Sequence, residues 1–168
     1  MKIEKITIQN FYSYKNEEFI LDDYSGLTLI KGLNKDTGGS NGSGKSVLIE
    51  AVYFALTGKT IRKSTEDSLV NNEAKKQCVV RIELEHKGSP ISITRQKKPT
   101  KLEFLVDKDN RTQQSVASTQ AVIEEHLNIN SKVLLASMFF GQSNDLNFLD
   151  CTAEDKRTII RNFLNLGD

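Results

Sequence analysis

Apolar and polar positions alternate from the start of the chain. Ile6 and Ile8 are separated by polar residues, the period-2 pattern of a half-buried strand, and predict one over 2–9. A second strand is predicted over 18–21, and a third, apolar but for Thr28, over 27–30. The period then changes. Leu48, Ala51, Val52 and Ala55 recur at the spacing of one helix face, predicting a helix over 45–57 with Gly58 as its C-cap. A polar connection over 59–76 follows, with a short helical turn expected at 66–70. The middle returns to strands. Runs at 79–85 and 91–94 flank Lys87-Gly88-Ser89-Pro90, a hairpin signal, and a strand at 102–106 leads to a turn at Lys108-Asp109-Asn110. From Ser118 the pattern is helical, with Val122, Ile123 and Leu127 as a core face and a further helix over 131–138. The last helix starts near Thr152, which with Asp155 has the spacing of a weak capping pair, and Ile159, Ile160, Phe163 and Leu164 form its apolar face.

Between the third strand and the first helix lies Gly39-Ser40-Asn41-Gly42-Ser43-Gly44-Lys45-Ser46, of the form GxxxxGK[ST]. Glycines let the backbone curl so that successive N–H groups face inward, and the helix that follows points its positive end at the same spot. Lys45 reaches the β- and γ-phosphates of a bound nucleotide, and Ser46 supplies an oxygen to Mg²⁺. A chance Gly/Ser-rich loop is the other reading, and the flanking strand and helix weigh against it.

Composition narrows the picture only a little. The chain of 168 residues fits one domain, and 27% charged with 38% hydrophobic residues reads as soluble and globular. A net charge of +1 argues neither for nor against nucleic acid, so a basic surface would have to be local. Cys78 and Cys151 belong to no CxxC pair, which argues against zinc and for reduced thiols. Charges within residues 1–5 and the lack of a long apolar run point to a cytoplasmic protein without a membrane span. Lys75, Lys76, Lys97, Lys98 and Lys101 surround the strand-rich middle, either as solvated faces or as phosphate contacts, without the interleaved aromatics of base stacking. His86 and His126 are isolated and read as structural or exposed rather than catalytic; Cys78, opening a strand, reads as a small core residue.

The element order is β, phosphate loop, helix, antiparallel β, then helices, which differs from the βαβ alternation of nucleotide kinases. Several stretches in this order resemble the N-terminal half of an SMC/SbcC-type ATPase head. Asn10-Phe11-Tyr12-Ser13 is similar to the family's opening "NF-x-S", and Ser40–Ser46 to its "NGSGKS". Ile91-Ser92-Ile93-Thr94-Arg95 resembles its "Y-x-I-x-R" strand, Phe139-Phe140-Gly141-Gln142 its Q-loop, and the stretch 156–166 its approach to the coiled coil. Two departures stand out. Tyr12 occupies a place where the family often has Arg. The loop after the third strand is also longer than usual: Gly32-Leu33-Asn34 could itself begin the motif, with a polar spacer over 34–39 that either bulges outward or covers the nucleotide.

The resemblance implies an α/β fold, an ABC-type P-loop ATPase half-head with a mixed sheet, an antiparallel β lobe and flanking helices over 1–168. It implies ATP and Mg²⁺ as cofactors. The nucleotide-contacting set becomes Ser13, Gly39 through Val47, Val70, Asn71, Asn72 and Gln142, with Ser46 and Gln142 on the metal. A surface turn accounts equally well for Asn71-Asn72, and Arg62 is either a phosphate or partner contact or a solvated cation. The chain has no LSGG-like signature, no apolar strand ending in Asp-Glu and no downstream switch His, so no catalytic residue is assigned. In the family those elements lie in a C-terminal half beyond a coiled coil, which makes the chain a truncated piece or one part of a split head. Implied partners are that C-terminal half, a second ATPase head, an SbcD-like nuclease subunit and double-stranded DNA, with no membrane. The implied function is ATP-dependent head dimerisation that gates DNA processing by a repair or recombination exonuclease. A DNA-organising SMC-like ATPase and a small P-loop kinase with a complete site of its own are the alternatives.

Overall fold

The computed structural model describes residues 1–21, 24, 26–34, 38–62, 66–137 and 152–163. Alternation in the first residues produces β1, Lys2–Phe11, whose Ile6, Ile8 and Phe11 are buried. A two-residue turn, Tyr12-Ser13, brings the chain back as β2, Tyr14–Ile20, with Phe11 paired to Tyr14 and Ile6 to Phe19. On the other side of β1 runs β3, Cys78–His86, followed by β4, Ser89–Lys97, β5, Lys101–Val106, and the two-residue β6, Asp109–Asn110. The sheet order is β2-β1-β3-β4-β5-β6, and every pairing among the described residues is antiparallel. One face carries a row of side chains across four strands, Ile6, Ile82, Ile93 and Phe104, all fully buried. The next row reads Ile8, Val80, Arg95 and Leu102, so a cation occupies an apolar register position.

Helix α1, Lys45–Thr57, lies on this face, with the Phe54 ring 5.5 Å from that of Phe11. It is buried on nearly all sides from Val47 to Thr57, with Ile49 the exposed position, as expected for a helix enclosed by other elements. Gly58 closes it in the left-handed conformation, φ 71°, and donates its N–H to the Phe54 carbonyl at 2.8 Å. Helix α2, Val116–Leu127, covers β5 and the end of α1 through Ile123 and Leu127. Helix α3, Ser131–Ser137, reaches α1 where Tyr53 Oη donates to the Ser131 carbonyl at 3.2 Å, and α4 spans Ala153–Phe163.

Most strands and helices form where the periodicity places them, although β2 starts at Tyr14, four residues before the expected 18–21. Three further differences stand out. The stretch 27–30 is not a strand. Leu27 is fully exposed and Leu29 is 75% exposed, and no strand among the described residues lies alongside to complete a ladder. The part of the sheet that would have made it mixed is thus not formed. The turn after β5 falls at Asp107-Lys108, both at positive φ, so that Asp109-Asn110 pairs back as β6. Helix α2 begins two residues before Ser118, because Ser115 and Ser118 form a reciprocal capping box. The expected turn at 66–70 is a short 3₁₀ helix, Glu66–Leu69.

Candidate nucleotide-binding site

The loop before α1 is shaped by two glycines in the left-handed region, Gly42 at φ 73° and Gly44 at φ 88°. The Gly44 carbonyl starts the helix by accepting from the N–H of Val47 at 2.9 Å. No side chain caps α1, and its first turn holds no acidic residue, so its positive end is open to an anion. Lys45 is turned back into the loop, where Nζ donates to the Ser40 carbonyl and, at 3.2 Å, to Ser43 Oγ. Ser43 Oγ donates to the same carbonyl at 2.8 Å. A cation held over a ring of backbone groups by nothing stronger than a carbonyl and a hydroxyl suits phosphate oxygens. Ser46 is exposed on the first turn of α1, and its hydroxyl has no partner among the described residues. The donor set fits a nucleotide phosphate with a hard, oxygen-seeking cation beside it.

The β1–β2 turn forms a second wall. Tyr14 Oη donates to the Gly44 carbonyl at 3.2 Å, and burial, then Glu17, pushes its phenol above the usual range. A Cβ at Gly44 would stand 3.3 Å from Tyr14 Oη and 3.5 Å from Ser13 Oγ, so Ser13 does lie against the phosphate loop. The turn is fixed from the far side by the 69–71 segment. Tyr12 N–H donates to the Leu69 carbonyl, Asn71 N–H to that of Asn10, and Asn71 Nδ2 to that of Tyr12 at 2.7 Å. Asn71 Oδ1 accepts from the N–H groups of Glu73 and Ala74. The side chain of Asn71 is therefore occupied in holding the turn, Val70 is buried in the core, and Asn72 is exposed.

Arg62 sits over the Tyr12 ring at 5.7 Å, with Nε 3.9 Å from Glu50 Oε2. Glu50, on α1 and 2% exposed, accepts from the N–H groups of Ile61 and Arg62 through Oε1. Burial raises its carboxyl above the ordinary value; the two N–H donors and then the Arg62 charge oppose that. The chain leaving α1 is thus tied back to the helix, and Arg62 is placed beside Tyr12. At the helix's other end Arg95 Nε and Nη2 donate to the Ala55 carbonyl at 3.3 Å, Nη2 also donates to Gln120 Oε1, and the guanidinium lies 5.7 Å from the Phe54 ring centre. Gln120 Nε2 in turn donates to the Leu56 carbonyl. Burial lowers the Arg95 pKa to about 10, against a raising effect of Glu124. Sequence reasoning assigned no role to Tyr14, Glu50 or Arg95. For Arg95 a signal existed: it is a charge at the position where the Ile91, Ile93 alternation calls for an apolar side chain; Glu50 lies off the predicted apolar face of its helix and gave none.

Gln142, with the proposed Q-loop, lies outside the described residues. The lysines do come together. Lys97 pairs with Cys78, Lys101 with Gln96, Gln77 N–H donates to the Lys98 carbonyl, and Asn10 Nδ2 donates to the Lys76 carbonyl. This is the end of the sheet at which β1 finishes, the same end that meets the phosphate loop. His86 and His126 are not isolated: their rings are 6.4 Å apart, and Phe104 is 5.7 Å from His126. Neither ring nitrogen of His86 has a hydrogen-bond partner, and burial lowers its pKa, helped by the N-terminus, Lys87 and His126. Cys78 is fully buried, as its pattern predicted, and burial raises its thiol to about 12. Among the described residues no cluster of three or more His, Cys, Asp or Glu could hold a metal, and no helix is long and apolar enough to cross a membrane.

A phosphate loop opening the central buried helix of an α/β domain defines a P-loop nucleotide-binding domain. A family model described as an AAA domain matches residues 5–166, and the chain belongs to that family. It is similar to exonuclease subunit 2 of Enterobacteria phage T4, 28% identical over 131 residues, covering 77% of this chain and 23% of the relative. It is also similar to the DNA double-strand break repair Rad50 ATPase of Thermoplasma acidophilum, 29% identical over 154 residues, 89% of this chain and 16% of the relative. The chain thus spans less than a quarter of the length of these relatives.

Proposed function

We propose that this chain is the N-terminal, ATP-binding part of an ATPase head in an SbcC-like DNA repair or recombination nuclease complex. The observation that carries the reading is the phosphate loop at the uncapped N-terminus of α1, with Lys45 turned into it. Relatives named as an exonuclease subunit and as a DNA break repair ATPase supply the biological setting. Lys45 and the loop amides would hold the β- and γ-phosphates. Ser46 and Gln142 would place oxygens on Mg²⁺, whose charge neutralises the phosphates. Ser13 would line the ribose and base side with the exposed Asn72, while Val70 and Asn71 would act indirectly by fixing the β1–β2 turn.

The chain holds no residue assigned as general base, so hydrolysis needs groups from elsewhere. The exposed apolar stretch Leu27, Leu29, Ile30 and Leu33 runs directly into the phosphate loop. We assign as its occupant a later segment of the same polypeptide, pairing with it as a strand, because relatives of this chain are several times longer. A second head would close the γ-phosphate side, and the closed pair would gate DNA to an SbcD-like nuclease subunit in the cytoplasm. The lysines at the β1 end of the sheet offer double-stranded DNA a surface beside the nucleotide. An SMC-like organiser without a nuclease differs by lacking a co-purifying nuclease subunit.

Lys45→Ala in the full-length protein is expected to weaken Mg-ATP binding on the order of 100-fold, because a charge-assisted phosphate contact is lost. Titration calorimetry measures this, and wild-type affinity would overturn the site.

A further inference from the structure

Gly39–Ser46 satisfies the phosphate-loop pattern alone, yet the space beneath the loop is held by residues that precede it. A Cβ on Gly32 would stand 2.0 Å from Ser43 Oγ, 2.7 Å from Ser43 Cβ and 3.1 Å from Lys45 Cγ. No side chain fits there without displacing the two residues whose polar ends meet the Ser40 carbonyl. Two positions on, Asn34 is fastened to the loop three ways. Its N–H donates to the Gly39 carbonyl at 2.8 Å, its carbonyl accepts from the Gly38 N–H at 2.9 Å, and its Nδ2 donates to the Asn41 carbonyl at 3.1 Å. The same Nδ2 lies 3.3 Å from where a Cβ on Gly42 would be. The chain therefore leaves the loop at Asn34 and returns to the same point at Gly38 and Gly39.

We propose that the phosphate loop is a two-piece unit, Gly32 plus Ser40–Ser46, clasped by Asn34, in which Gly32 and not Gly39 acts as the first glycine. The inference rests on the nucleotide reading of this site. Gly39 contributes a carbonyl, which any residue supplies, and it is not among the glycines at positive φ. Gly32 contributes the absence of a side chain under Ser43 and Lys45. Asn34 is a positioning residue: it acts on phosphate through the Asn41 carbonyl and the closure at Gly39. The chain is thus already closed between Asn34 and Gly39, which marks the residues between them as an insertion into the motif.

Mg-ATP binding by calorimetry, with unfolding of the nucleotide-free protein followed in parallel, tests this on the full-length protein. Gly32→Ala is expected to bind at least about tenfold more weakly, Asn34→Ala several-fold more weakly, and Gly39→Ala within about twofold of wild type. Unfolding temperatures are expected to stay within about 2 °C of wild type, which a merely structural role would not allow alongside the affinity loss. Wild-type affinity in Gly32→Ala, or an equal loss in Gly39→Ala, overturns the two-piece loop. Should Gly32→Ala not fold, Asn34→Ala decides, and wild-type affinity there overturns the clasp. Lys45→Ala separates the two levels. Normal binding by that variant sinks the nucleotide site itself, whereas loss there with normal binding by Gly32→Ala and Asn34→Ala sinks only this inference.

Discussion

Arg95 carries a guanidinium into an otherwise apolar row, 4% exposed, and its hydrogen bonds go to a helix carbonyl and an amide. The Ala55 carbonyl belongs to the last turn of α1, so the cation also sits at the negative end of the helix that carries the phosphate loop. Arg95→Ala would leave the Ala55 carbonyl and Gln120 without their donor and a cavity beside Phe54. The expected loss is about 3 kcal/mol of unfolding free energy, read from urea denaturation. Cys78 gives a pH signature. Its thiol pKa is raised from 9.0 to about 12 by burial, so folding favours the protonated form. The stability this contributes is complete below pH 9 and is lost as pH rises toward 12, with a slope of up to about 1.4 kcal/mol per pH unit. Cys78→Ala should flatten that part of the stability profile, and an unchanged alkaline slope would refute the assignment.

Elements whose partners lie within the chain were legible in its periodicity. Helix α1 runs from Lys45 to the Gly58 cap because the 3.6-residue pattern, the preceding glycine loop and the terminal glycine agree. Strands β3 to β5 formed where β-branched alternation placed them. The failure at 27–30 has a physical cause: apolar sequence calls for a strand, but a strand exists only against a neighbour, and none of the described residues provides one. The motif pattern raised Gly32-Leu33-Asn34 as a possible start of the phosphate loop, but the contact of Tyr14 with the loop and the pinch made by Gly32 and Asn34 come from tertiary approach that no local period encodes. The capping box of α2 was readable in hindsight, although its third-position residue is Ser118 rather than the usual Glu or Gln. Ser115 accepts from Ser118 N–H at 3.0 Å, so Ser115→Ala should cost about 1 kcal/mol in denaturant unfolding. No change in midpoint would show that the cap contributes nothing to α2.

At the scale of the whole molecule, one domain carries a phosphate cradle and lacks an assigned base. The 168-residue chain alone should therefore hydrolyse ATP barely above background, and the full-length protein should turn it over measurably in a phosphate-release assay. Robust turnover by these 168 residues alone would favour the self-contained kinase-like reading. In the full-length protein the amides of 27–30 should exchange slowly with deuterium, as ladder-paired amides do, and should exchange fast in the isolated chain. Equal exchange in both would remove the pairing assigned to that stretch. The bare leucines also bear on synthesis. If the proposed later strand pairs with it in a protein of the relatives' length, this segment would emerge from the ribosome on the order of a minute earlier than that strand, at ~5–20 residues per second. For that interval Leu27, Leu29, Ile30 and Leu33 would form an apolar strip in water, and chaperones that shield apolar chain are expected to bind it.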